Sequence, residues 1–161
     1  MSVQPRDVHQ TLTRILTEEA GLLGELETIL QQETEVLRGE DAAAIQRIGG
    51  NRHRCVDTLS RLDAERADTC RMLSFGSGRG ALDRLYAWAD PSAGLQAKWS
   101  SNLECARRCK TLNDKNGAIV AAKLNRVQQL LGKLRGNSTP PVYSSKGARY
   151  GAMGLRDLGS A

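Results

Sequence analysis

A chain of 161 residues with 4% aromatic side chains has the size of one domain, and its wealth of Leu, Ala, Glu, Arg and Gln favours helices packed by aliphatic seams over sheets. No stretch approaches the ~20 consecutive apolar residues that span a bilayer, so no membrane insertion is expected. The formal net charge is +5, but residues 1–45 carry three positive and nine negative side chains while residues 96–135 carry nine positive and two negative, a pattern that suits two neighbouring helices better than the open basic face of a nucleic-acid binder.

The start of the chain, Met1 to Gln10, is polar and lacks the apolar core of a secretory signal, so a cytoplasmic location is expected. The first helix is expected to begin near Pro5, a residue suited to a first helical turn. Its apolar positions are Leu12, Ile15, Leu16, Leu22, Leu23, Leu26, Ile29, Leu30, Val36 and Leu37. Most of them fall on or beside a seven-residue repeat in which Glu19 and Glu33 take two seam positions. Such spacing marks long supercoiled helices, and the two seam glutamates argue against a strict two-stranded zipper. Gly39 is the expected stop.

Asp41 is placed to cap a second helix running towards Phe75. Its seam reads Ile45, Ile48, Arg52, Cys55, Leu59, Leu62, Arg66, Thr69 and Leu73, and it passes through Gly49 and Gly50. Two interior glycines cost ~1 kcal/mol each relative to alanine, so a kink or local opening is expected there. Gly76-Ser77-Gly78-Arg79-Gly80 reads as a loop, without the Gly-Lys-Ser/Thr ending of a phosphate-binding loop. A short helix follows, with Leu82, Leu85, Tyr86 and Trp88 as its apolar residues, and Asp90-Pro91-Ser92 breaks it.

The last long helix is expected from about Gly94 to Arg135. Its seam includes Leu95, Trp99, Asn102, Leu103, Ala106, Asn113, Asn116, Val120, Leu124, Val127, Leu131 and Leu134; the polar positions lie in the first half, and beyond them the stripe is wholly aliphatic. Residues 136–161 lose all periodicity and are rich in Gly, Ser and Pro, so they are expected to remain a flexible tail. The expected architecture is all-α: an antiparallel bundle of long coiled-coil-like helices with one short helix over residues 1–135, followed by that tail. Burying an aliphatic side chain is worth ~1.5–3 kcal/mol, so roughly twenty seam residues hold such a bundle together with no cofactor.

Catalytic constellations are missing. Neither His9 nor His53 has a glutamate three residues before it, which a di-metal carboxylate bundle needs, and no Gly-x-Ser-x-Gly turn occurs. Cys105 and Cys109, four residues apart, share one helix face, and Cys55 and Cys70 lie elsewhere in the chain; a structural zinc needs further ligands at suitable places, so idle thiols and no metal are expected. The basic run Arg107, Arg108, Lys110 and Lys115 lacks aromatic partners for base stacking, so no nucleic-acid partner and no enzymatic activity are expected. A structural coiled-coil adaptor and a basic nucleic-acid binder stand as alternatives to the reading that follows.

From Lys98 to Gly151 the chain carries an ordered pattern. It runs through Lys98-Trp99, the box Leu112-Asn113-Asp114-Lys115-Asn116-Gly117, an aliphatic helix with Gln128, Gln129, Leu130 and Leu134, and then Pro140-Pro141-Val142-Tyr143 with Gly147 shortly after. This pattern resembles the FlgN family of flagellar type III export chaperones. The resemblance implies a cytoplasmic, non-enzymatic protein that binds the C-terminal helical region of hook-associated, or hook–filament junction, proteins. It implies that these clients are kept from premature assembly and delivered to the cytoplasmic domain of the flagellar export gate. In the family the C-terminal helix holds the client and a tail tyrosine contacts the gate, which here points to Val120, Leu124, Val127, Leu131 and Leu134 and to Tyr143. The family tail commonly reads Tyr-Gly; here Tyr143 is followed by Ser144-Ser145-Lys146-Gly147 and a second candidate, Tyr150-Gly151, lies downstream, with the preceding prolines favouring Tyr143. The stripe is expected to lie packed as core in the free protein and to reopen for a partner helix. Trp99, Leu112, Asn113, Asn116 and Gly117 read as a structural motif in which buried asparagines set helix register.

Overall fold

The computed structural model describes residues 3–136, and among them the regular elements are four helices: α1 (Pro5–Arg38), α2 (Ala42–Met72), α3 (Arg79–Ala89) and α4 (Gly94–Leu134). The expected tail beyond Gly136, with Tyr143 and Tyr150, lies outside the described residues.

α1 starts at Pro5, carries Asp7 in its first turn and ends where the Gly39 N–H bonds back to the Val36 carbonyl. The link to α2 is too short for anything but a hairpin, and the Asp41 carboxylate caps α2 by accepting the Ala44 N–H at 3.0 Å. Most of the apolar residues foreseen for α1 are buried, among them Leu12, Ile15, Leu16, Leu26 and Leu30, while Leu22 and Val36 are half-buried. α1 is the central helix and packs against all three others.

α2 runs through Gly49 and Gly50 without interruption, so the opening expected there does not form. Ile48 and Cys55 bury the α2 face on either side of the pair, and an Arg52–Glu33 ion pair at 3.1 Å pins the same stretch to α1. A methyl group at Gly49 meets open space, and one at Gly50 meets only the Arg54 guanidinium at 3.8 Å. Gly49→Ala and Gly50→Ala should therefore each raise stability by about 0.5–1 kcal/mol, read as a higher urea midpoint at unchanged slope; a lowered midpoint would show that the glycines are needed for close packing.

α2 ends three residues before Phe75. The Ser74 N–H bonds to the Arg71 carbonyl and the Phe75 N–H to the Cys70 carbonyl, with Ser74 at φ 63°. This is the paired closure of a Schellman turn, and it folds Phe75 back against the core that includes Cys70 and Leu85. Gly76 and Gly78 follow with φ of 89° and 86°, the left-handed region that glycine enters without steric cost, which is why this stretch is a loop. α3 buries Leu82, Leu85 and Tyr86, while Trp88 is partly exposed and lies tilted over Phe75 with centroids 5.7 Å apart.

Asp90 both ends α3 and starts α4. Its carboxylate accepts the Leu95 N–H at 2.9 Å and the Ser92 N–H at 3.1 Å, and the Ser92 hydroxyl and Leu95 amide hold it below the usual carboxylate range. The same carboxylate stands 2.9 Å from where a Cβ on Gly94 would sit, so Gly94 is required by close approach. Two cores result. One, at the α3 end, gathers Val8, Leu12, Leu16, Leu85, Tyr86, Leu95 and Trp99; the other, towards the hairpin turn, gathers Leu23, Leu26, Leu30, Cys55, Leu59, Ala106 and Cys109.

Candidate functional site

Two polar layers fix how the long helices lie against one another. In the first, Glu19 of α1 is paired with Arg66 of α2, and Asn102 of α4 donates its side-chain amide to the Leu16 carbonyl at 3.0 Å and to Glu19 at 3.4 Å. In the second, Glu33 is paired with Arg52, and Asn116 donates to the Leu30 carbonyl at 2.9 Å and to Glu33 at 3.0 Å while accepting the Thr34 hydroxyl at 2.6 Å. Each partner in the second layer lies two heptads from its counterpart in the first. The layers are one device used twice: a seam glutamate on α1, an arginine from α2 and an asparagine from α4 that also satisfies an α1 carbonyl. Between them the Cys109 thiol faces the Leu23 carbonyl at 3.5 Å.

Burial pushes the Glu19 carboxyl up, and the Arg66 guanidinium opposes that. Arg66 also lies 4.2 Å over the Trp99 ring, a cation–π contact, and Trp99 is tilted against Tyr86 at 6.0 Å. Thus Trp99 belongs to the α3 end of the bundle, Asn116 to the far layer, and half-buried Leu112 to the second core. Asn113 is buried, and its Oδ1 finds no partner among the described residues; Gly117 is half-buried beside the Asn116 layer. Asn102 and Arg66 complete the register device, and the sequence signal for both was their polar character at seam positions.

The glutamate–arginine pairs run in opposite senses along α1 and α2, so that pair is antiparallel. The α1–α4 contacts Leu16–Asn102, Leu23–Cys109 and Leu30–Asn116 keep a constant offset of 86 residues, so these two helices run parallel in fixed register and α4 opposes α2. The consequence lies at the other end. With that offset the last residue of α1, Arg38, is level with Leu124 of α4, and Lys123 donates to the Gly39 carbonyl at the hairpin turn. Everything in α4 beyond Leu124 projects past the hairpin as an overhang of about ten residues, or ~15 Å at 1.5 Å per residue.

The aliphatic stripe rides on this overhang. Val120 is half-buried at its root, but Leu124 is 50% exposed, Val127 53%, Leu131 45% and Leu134 84%. This corrects the expectation that the stripe is packed as core. Among the described residues, the helices that would cover it end too early, so none of them lies over the stripe. Leu130, 52% exposed, widens the stripe; its place three residues after Val127 and four before Leu134 was the available signal. Tyr143, the remaining expected contact residue, lies outside the described residues.

Of the basic run, Arg108 pairs with Glu27 of α1 at 2.8 Å and Lys110 with Asp114 at 2.7 Å, and the Arg108 bond holds the Glu27 carboxyl below its usual range. Burial raises the Cys55 thiol to about 11 and the Cys109 thiol to about 12, which suppresses the reactive thiolate. Among the described residues no group of three or more His, Cys, Asp or Glu side chains could hold a metal, and no helix is long and apolar enough to cross a membrane.

No curated protein and no solved structure matches the chain. A family model described as FlgN protein matches residues 1–151, taking in the hairpin and α3 as well as the motif-bearing α4. With nearly its whole length matched and a helical bundle in place, the chain belongs to the FlgN family of flagellar export chaperones.

Proposed function

We propose that this chaperone works in the cytoplasm on hook–filament junction proteins, holds their C-terminal helical region against the α4 overhang, and hands them to the cytoplasmic domain of the export gate through Tyr143. The observation that carries this reading is the exposed ribbon of Leu124, Val127, Leu131 and Leu134 at the end of α4. Soluble domains seldom leave such contiguous apolar faces uncovered unless a partner uses them, and an amphipathic helix laid into an apolar face is a recurrent recognition mode. A client helix on the overhang would extend the seam that α1 fills lower down. Capture then needs no rearrangement of the bundle, and a client held by its own assembly helix is kept from polymerising.

The direct test is calorimetric titration of the full chain with hook–filament junction proteins. Binding that depends on their C-terminal helical region is expected, and no heat change at high protein concentration overturns the reading. Tyr143 in its Pro-containing segment suits a short contact, because a rigid amphipathic ring loses little entropy on docking. Tyr143→Ala should leave client affinity within about twofold and reduce client export from cells. Loss of client binding itself would show that capture and delivery are not divided in this way.

A further inference from the structure

The overhang has an electrostatic character as well as an apolar one. From Ala118 to Gly136 the chain carries Lys123, Arg126, Lys133 and Arg135 and no Asp or Glu. Arg126 and Lys133 are exposed and sit a heptad apart along one edge of the stripe. They repeat, eighteen residues on, the positions of Arg108 and Lys115, which is five full turns at about 3.6 residues per turn. The lower row already shows what such an edge does: Arg108 bonds to Glu27 of α1 at 2.8 and 3.2 Å while the neighbouring seam buries α1's leucines. Above Arg38 the basic edge and the apolar seam both continue, but α1 does not.

Resting on the reading of the overhang as the client site, we infer that its occupant is an amphipathic helix with an acidic edge, a partner that repeats α1's own chemistry of aliphatic seam flanked by carboxylates. Charge selects this occupant over the two that lie closest to hand. The chain's own segment 137–161 carries Lys146, Arg149 and Arg156 against Asp157, so it brings positive charge to a positive edge. A second copy of the overhang would set two basic rows side by side, which like-charge repulsion disfavours. An acidic-edged helix gains at Arg126 and Lys133 while its apolar face covers Val127, Leu131 and Leu134.

The test uses the full chain and three synthetic helical peptides with one leucine/valine seam and glutamate, glutamine or lysine along one edge, followed by fluorescence anisotropy. At low ionic strength the glutamate peptide should bind about tenfold more tightly than the glutamine peptide, and the advantage should shrink as salt is raised. Arg126→Glu with Lys133→Glu should transfer the preference to the lysine peptide, and Arg126→Gln with Lys133→Gln should erase it; both pairs are solvent-exposed, and a native circular dichroism spectrum verifies the fold. Equal binding of all three peptides overturns the charge assignment and leaves the helix-docking site standing. Absence of binding by any peptide, with junction-protein capture unimpaired in a Val127→Asp, Leu131→Asp variant, removes the site itself. Preferential binding to vesicles of anionic lipid over the glutamate peptide, or self-association of the pure chain lost in the same variant, assigns the overhang to a membrane surface or a second copy and overturns the inference.

Discussion

Replacing Val127 and Leu131 together with aspartate should abolish client capture while leaving the bundle folded. Both side chains are about half exposed on the overhang, beyond the reach of α1 and α2, so their loss removes little native packing. Surface substitutions away from special features stay within about 0.5 kcal/mol, roughly 2 °C in unfolding temperature for a chain of this size. Binding is another matter. Each aliphatic side chain covered by a partner helix is worth ~1.5–3 kcal/mol, and each aspartate would have to be desolvated under the client. Losing both contacts weakens the complex by ~3–6 kcal/mol, a hundredfold or more. Calorimetry for binding and circular dichroism melting for the fold check the two halves. Persistent capture by a natively folded variant would mean that the client does not use this stripe. The matched control is Leu16→Asp, the same chemistry in the filled part of the bundle, where the side chain is 1% exposed and unfolding is expected.

The second large effect is expected at Arg66. It is 2% exposed, among the largest fully buried side chains, and its guanidinium answers Glu19, Asp63 and the Trp99 ring. Arg66→Met keeps much of the volume but strands Glu19 in the core. Removing one partner of a buried ion pair costs ~3–5 kcal/mol, a large share of the ~5–15 kcal/mol that holds a domain together. Restoring neutrality with Glu19→Gln in the same chain should recover part of that loss, because glutamine still accepts from Asn102 without the burden of a buried charge. The pH dependence has a definite sign. Burial already raises the Glu19 carboxyl, and without Arg66 it rises further. A carboxyl whose folded pKa lies above its unfolded value carries a penalty that is absent at pH below the unfolded value, near 4.3, and grows as pH rises through the folded one. The deficit of Arg66→Met against the parent should therefore narrow as pH falls from about 8 towards 5, in urea titrations at each pH. A deficit independent of pH would assign the loss to packing against Trp99 alone.

How much of this was legible beforehand varies with the kind of feature. Helix ends were readable because they are local chemistry: Pro5 at a first turn, the Asp41 cap and Asp90-Pro91-Ser92 act within a few residues of themselves. Glu19 and Glu33 announced themselves as polar residues at seam positions, and they became the centres of the two polar layers. Gly49-Gly50 misled, since intrinsic propensity favoured an opening that the surrounding α1 contacts override at a cost of only ~1 kcal/mol per glycine. The turn at Ser74 was missed because its signal, a closure through the Cys70 and Arg71 carbonyls, carries no glycine at the left-handed position.

The amino-acid sequence by itself determined the all-helical class, the seams, the acidic and basic character of the first and last helices and the motif that led to the FlgN family. Only the tertiary structure decided that none of the described helices covers the last part of the α4 seam. Periodicity reports which face of a helix is apolar, and that face reads the same whether or not a neighbour lies against it. Whether it is covered depends on the register between helices far apart in the chain, here the 86-residue offset held by Asn102, Cys109 and Asn116, and on α1 ending at Arg38 while α4 continues.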